Sequence, residues 1–259
     1  MWGGKKAHIH HDHDVMKANE VVELLNNTKK YFAQQRDLFG AEIYVEDRKK
    51  DDVIGNPKET QYPDEPWATS ESLSALYEQI HECIKCPLGH TRTKFVFGTG
   101  NPHADVMFMG EAPGADEDAQ GEPFVGRAGQ LLNKIIESVG MKREDVYICN
   151  IIKCRPPNNR APLPMETETC TPYLMKQIEL IKPKFIVCLG RTAAQWLLQT
   201  NDNLGTMRGK LHDYNGIKLI VTYHPAALLR NPDWKRPTWE DMKMFKKAYD
   251  DLQTASRHV

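Results

Sequence analysis

The chain has 259 residues, is 40% hydrophobic and 27% charged, and carries a formal net charge of −1. Those values suit a globular body able to bury one sizeable core, and the longest apolar runs fall far short of the ~20 residues a membrane span needs. The charge is unevenly spread: residues 1–82 hold 10 Lys and Arg against 16 Asp and Glu, leaving 24 basic against 19 acidic residues downstream, a balance that permits a polyanionic partner without requiring one.

In chain order, a His-rich opening (His8, His10, His11, His13) reads as a leader, with no apolar context to make it a metal site. No basic stretch followed by an apolar one marks an export signal, so the expected location is the cytoplasm. Apolar residues recur at helical spacing from Asp14 to Phe39. Residues 46–70 turn polar and Pro-containing, a linker composition. The expected organisation is therefore a leader and helix over 1–45, a linker over 46–70 and a folded body over 71–255.

Within the body the pattern alternates. Helices are predicted over Ser72–Cys83, Arg127–Val139, Met165–Ile181, Arg191–Leu198 and Trp239–Leu252. Strands are predicted over Val106–Gly110, Val146–Ile152, Phe185–Gly190 and Leu219–Tyr223. Continuous apolar strands separated by helices predict an α/β fold of three αβα layers, with a central, mainly parallel four-stranded sheet. Ligands of such sheets bind beyond the carboxyl ends of the strands. Three polar, Gly- and Pro-rich segments follow strands there: Glu111–Gly126, Lys153–Pro164 and His224–Pro232.

Of the six cysteines, Cys149 and Cys188 sit inside apolar strands and read as small core residues. Cys83 and Cys86 form a CxxC hook, and Cys154 and Cys170 lie downstream in loops or at element ends. Four such thiols suit a tetrahedral thiolate site, and both zinc and a [4Fe–4S] cluster fit the count.

The segment Gly110-Glu-Ala-Pro-Gly-Ala-Asp-Glu117, with its continuation to Gly126, resembles the first motif of the family 4 uracil-DNA glycosylases. Asn150 with the run to Arg160, and His224-Pro-Ala-Ala-Leu-Leu-Arg230, resemble the second and third motifs, and the likeness extends from about Cys83 to Asp251. The resemblance implies a uracil-DNA glycosylase fold and an enzyme that flips uracil out of single- or double-stranded DNA and hydrolyses its N-glycosidic bond, leaving an abasic site for base-excision repair. It implies a [4Fe–4S] cluster on Cys83, Cys86, Cys154 and Cys170; the chain is expected to act as a monomer.

The resemblance also implies roles within the site. Phe124 would stack on the flipped base, Asn150 would read its edge, and His224 would donate to uracil O2 as the base leaves. The loop Glu111, Ala112, Pro113 and Gly114 would line the base, with backbone N–H donors from all but Pro113. Ala112 stands where better-known uracil-DNA glycosylases carry an Asp. Glu111 and Glu117 are then rival candidates for positioning the water, with Glu117 alternatively walling off the thymine methyl. Leu228 and Leu229 would wedge into the DNA, Arg230 would meet a phosphate, and Arg155 and Arg160 would lie on the DNA backbone. The competing readings are a non-catalytic iron–sulfur DNA-binding module, a zinc-dependent hydrolase and a relative that traps the sugar covalently. Against the last, Arg155–Pro164 contains no histidine.

Overall fold

The computed structural model describes residues 65–256; the predicted leader, the helix over Asp14–Phe39 and most of the predicted linker lie outside them. The packed body reaches upstream of the predicted boundary. A short 3₁₀ turn over Pro66–Thr69 buries Trp67, whose ring meets Tyr173 edge-on at 5.0 Å.

The helices, in chain order, are α1 (Leu73–Ile80), α2 (Leu88–Thr91), α3 (Ala115–Gln120), α4 (Arg127–Ser138), α5 (Pro164–Ile181), α6 (Arg191–Leu198), α7 (Leu204–Met207), α8 (Pro225–Arg230) and α9 (Lys235–Ser256). The strands are β1 (Thr99–Gly100), β2 (Val106–Gly110), β3 (Tyr147–Asn150), β4 (Phe185–Leu189), β5 (Leu211–Tyr214) and β6 (Ile217–Thr222). They form one sheet in the order β1-β3-β2-β4-β6-β5.

The four predicted strands are its parallel centre, with Gly110 level with Asn150 and Leu189 level with Thr222. The sheet has six strands rather than four because each margin adds a short antiparallel strand, β1 against β3 and β5 against β6. Neither has a continuous apolar run. β1 is Thr-Gly, and β5 is the mostly exposed Leu-His-Asp-Tyr.

The pleat sorts side chains between two layers. Met107, Met109, Cys149, Ile186, Cys188 and Leu219 pack with residues of α1, α5 and α6. Val106, Phe108, Ile148, Phe185, Val187 and Ile220 pack with Leu132 and Ile136 of α4 and Met242 and Phe245 of α9. Every strand of the parallel centre is thus covered on both faces, which is why it reads as an unbroken apolar run.

The start of α5 changes the reading of Arg160. Its guanidinium grips the fully buried Glu166 with two bonds, Nη1 to Oε2 at 2.8 Å and Nη2 to Oε1 at 2.6 Å. Glu166 Oε2 also accepts the Leu163 N–H at 2.8 Å. This arginine therefore holds the Arg155–Leu163 loop to the helix, with its side chain still 34% exposed. Removing one partner of a buried, fully bonded ion pair typically costs about 3–5 kcal/mol. Arg160→Ala should fall near the lower end of that range in urea unfolding with an unchanged m-value, whereas Arg155→Ala, whose Nε bonds only exposed Asn159, should be close to neutral.

Candidate active site

The carboxyl ends of β2, β3, β4 and β6 bring three segments together. Asn150 ends β3 beside Gly110, and Gly110 has no room for a side chain. A Cβ there would sit 2.4 Å from Asn150 Oδ1 and 2.6 Å from Phe124 Cζ. The amide of Asn150 and the ring of Phe124 thus converge over a bare backbone. Asn150 is 1% exposed, and its Oδ1 has no hydrogen-bond partner among the described residues.

Phe124 occupies the left-handed region, at φ 53°, where a residue other than glycine is strained. Three contacts hold it. Arg143 donates from Nη1 to Phe124 O at 3.3 Å and from Nη2 to Pro123 O at 2.6 Å, and it is itself steadied by Asn133 Oδ1 at 3.0 Å. Gly129 lets the start of α4 press on the same peptide, since a Cβ there would lie 1.8 Å from Phe124 O.

Glu117 braces the loop from the other side. Oε2 accepts the Gly114 N–H at 3.1 Å, and Oε1 accepts those of Val125 and Gly126 at 3.0 and 3.1 Å. One carboxylate at the N-terminus of α3 therefore ties the loop before that helix to the loop after it, with the helix dipole favouring its charge. Glu111, by contrast, is half-buried and its side chain makes no hydrogen bond or ion pair among the described residues. Ala112 packs against the hydrophobic layer that contains the cysteines.

His224 follows β6 and caps α8, with Nδ1 accepting the Ala226 N–H at 3.1 Å. A neutral imidazole so engaged carries its proton on Nε2. The ring lies 5.4 Å from that of Phe124, at 32°. Burial, reinforced by the nearby Arg230 charge and opposed by Glu117, pushes its pKa down to about 4. Along α8, Leu228 is buried in the fold while Leu229 is 39% exposed, and Arg230 is exposed beside it.

The four loop cysteines gather in the layer that contains α1 and α5, across the sheet from Phe124. They are close enough for Cys86, Cys154 and Cys170 to feel the charge of neighbouring thiols. Polar hydrogens point at the sulfurs. Tyr173 Oη donates to Cys83 Sγ at 3.3 Å, Arg92 Nη1 to Cys154 Sγ at 3.4 Å, and the Lys153 N–H to Cys170 Sγ at 3.3 Å. Burial pushes the thiols of Cys154 and Cys170 up to about 11 and about 12. As the side chains stand, no three His, Cys, Asp or Glu groups among the described residues form a ready metal-binding group. An all-sulfur donor set ringed by hydrogen-bond donors nevertheless fits the chemistry of a soft, thiolate-held group.

The family model of the uracil DNA glycosylase superfamily matches residues 97–253. The chain belongs to the uracil-DNA glycosylase superfamily. Among similar proteins, the type-4 uracil-DNA glycosylase of Archaeoglobus fulgidus is 47% identical over 181 residues, covering 67% of this chain and 91% of the relative. That of Thermotoga maritima is 43% identical over 184 residues, covering 70% and 96%. A type-5 uracil-DNA glycosylase of Pyrobaculum aerophilum is 30% identical over 146 residues, covering 50% and 64%.

Two supports of this superfamily member's site escaped the sequence reading. One is Arg143. The other is Lys153, fully buried, whose Nζ donates to Asn150 O at 2.8 Å and to Gln177 Oε1 at 2.6 Å. Their signals are faint: a charged residue in a helix-end turn, and a lysine within an otherwise apolar stretch.

The His224 environment has a thermodynamic consequence. Its folded pKa lies below the ~6.5 of an unfolded histidine, so the unfolded chain takes up the proton first. The imidazole's contribution to stability is therefore lost as pH falls from about 6.5 towards about 4. The slope of melting temperature against pH in that window should be flatter in His224→Asn than in the unsubstituted protein.

Proposed function

We propose that the protein removes uracil from DNA by hydrolysing the C1′–N1 bond, leaving an abasic site. The observation that carries this reading is the buried, unpartnered Asn150 Oδ1 set beside the Phe124 ring. An unpaired acceptor in a closed site costs about 1–3 kcal/mol unless a ligand supplies a donor. Uracil offers N3–H to that oxygen and O4 to the amide NH₂. Cytosine reverses both groups and would leave the site unpaired. Phe124 supplies a flat face for a base taken out of the stack.

Bond cleavage leaves an oxocarbenium-like sugar and a uracil anion. The His224 Nε2–H is aimed at O2, where charge develops, and this hydrogen bond strengthens as the bond breaks. Its low pKa keeps the imidazole a neutral donor throughout the neutral range. With Ala112 in the loop, no strong base is poised to drive water attack. Glu111, uncommitted to any other side chain, holds the water or the cation; Glu117 keeps the loop in shape. Leu229 is the wedge that fills the space left by the base, while Leu228 anchors α8. Arg230 and Arg155 meet phosphates.

Cys83, Cys86, Cys154 and Cys170 would hold a [4Fe–4S] cluster, a cross-link joining the α1 hook to the β3 loop and α5. Bound there, it would supply structural rigidity, and the residues of the base pocket would carry the chemistry.

The test of activity is incubation with an oligonucleotide containing one uracil, followed by alkaline cleavage at abasic sites. Strand scission is expected, and a folded Asn150→Asp variant should be much slower, because a carboxylate cannot donate to O4. In single-turnover assays His224→Ala should lose on the order of 10²–10³ in rate, with little loss of DNA affinity, and Glu111→Gln should lose less. The reverse order would overturn control at the leaving group. Elemental analysis of anaerobically purified protein should find about four iron atoms per chain; stoichiometric zinc without iron would overturn the cluster. Cys83→Ala should lower stability or yield, and Cys188→Ala should behave as a small core change.

A further inference from the structure

Just beyond α8 the chain builds a stack that none of the three motifs accounts for. Trp234, the last residue of a 3₁₀ turn (Pro232–Trp234), lies face to face with Tyr223, with centroids 4.8 Å apart and planes within 19°. The Arg208 guanidinium covers the Tyr223 ring at 4.9 Å. Arg208 is fixed in turn by Asp241, whose Oδ2 accepts from Nε at 3.0 Å and from Nη2 at 2.8 Å, and by a further bond to Pro237 O. The buried Asp241 also takes the Thr222 hydroxyl at 2.8 Å. The inner end of the stack is thus tied to the end of β6, and its outer end, the indole, is 38% exposed.

The surroundings select the kind of partner. Every residue from Leu229 to Trp234 is exposed, and the run continues through Lys235 and Arg236. Arg230, Lys235 and Arg236 outweigh the single acid, Asp233, in that stretch. An indole already held flat by a backed ring loses little further freedom when a second flat group settles on it. Base–aromatic stacking tolerates any sequence, as an enzyme searching DNA for one lesion requires.

We propose that Trp234 is a stacking platform for an unpaired base of the uracil-containing strand, next to the extruded nucleotide. The surface continues the DNA-facing end of α8, so the proposal rests on the activity assigned above.

The test uses the full chain and short fluorescein-labelled single strands carrying 2′-fluoro-deoxyuridine, whose glycosidic bond resists cleavage. Affinity is read by anisotropy with the base deleted in turn at each of two positions on either side of the uracil. The unsubstituted protein should lose about tenfold in affinity when one of these bases is missing. Trp234→Ala should bind the intact strand about tenfold more weakly, become indifferent to the missing base, and keep the same dependence on salt, because no phosphate contact is lost. Trp234→Phe should retain most of the affinity. The platform is overturned if the unsubstituted protein ignores every deletion, or if Trp234→Ala binds normally. It is also overturned if Trp234→Ala is weakened yet remains sensitive to the deletion, as general misfolding or a protein-binding role for the indole would give. Excision of ordinary uracil by the unsubstituted protein is scored separately, and its absence would overturn the activity rather than the platform.

Discussion

The geometry of the site depends on one missing side chain. β2 and β3 run parallel with Gly110 level with Asn150, and only the absence of a Cβ at Gly110 lets the Asn150 amide and the Phe124 ring approach the same patch of backbone. Even a methyl group there would meet both at less than contact distance, and neither can retreat. The amide is rooted at the end of a buried strand whose last carbonyl is held by Lys153. The ring is fastened by Arg143 and by the start of α4. A hydrogen-bonding edge and an apolar face are therefore set at a fixed spacing by the fold itself, which is the preorganisation the proposed base recognition would draw on.

That arrangement divides the polar residues into those left uncommitted and those that shape the site. Glu117 and Arg143 lie within reach of the pocket, yet both are occupied with backbone groups, three N–H bonds for the carboxylate and two carbonyls for the guanidinium. Asn150 Oδ1 and Glu111 are left without such partners among the described residues. The strain at Phe124 belongs to the same account. A left-handed phenylalanine persists only where neighbours over-determine it, and the ring's position is what that strain secures.

Much of this was legible in the sequence because it is local. Unbroken apolar runs gave away the four parallel strands, and the Gly- and Pro-rich segments after them located the cleft. The resemblance of three motifs to one family pointed to Asn150, Phe124 and His224 as members of one site. Features set by contacts between distant segments were not legible. β1 and β5 carry no hydrophobic period, because a two-residue strand and a mostly exposed one have too little to bury. Arg160 was legible as a surface arginine, but not as the partner of Glu166, which turns inward six residues later to meet it. The pair Leu228 and Leu229 looked equivalent, and only the helical turn of α8 decides which one faces out. Trp67 lay in a stretch with linker composition, and its burial depends on Tyr173, more than a hundred residues downstream.

The short antiparallel margins of the sheet have a consequence for how copies of the chain coexist. A long, flat, apolar edge is a template for another chain's strand, and proteins with such edges tend to associate through them. Here the parallel strands, with their continuous apolar surfaces, are all interior. The one margin is two residues of Thr-Gly, and the other places adjacent His212 and Asp213 between Leu211 and Tyr214. Many copies can crowd along the same nucleic acid without their sheets joining edge to edge.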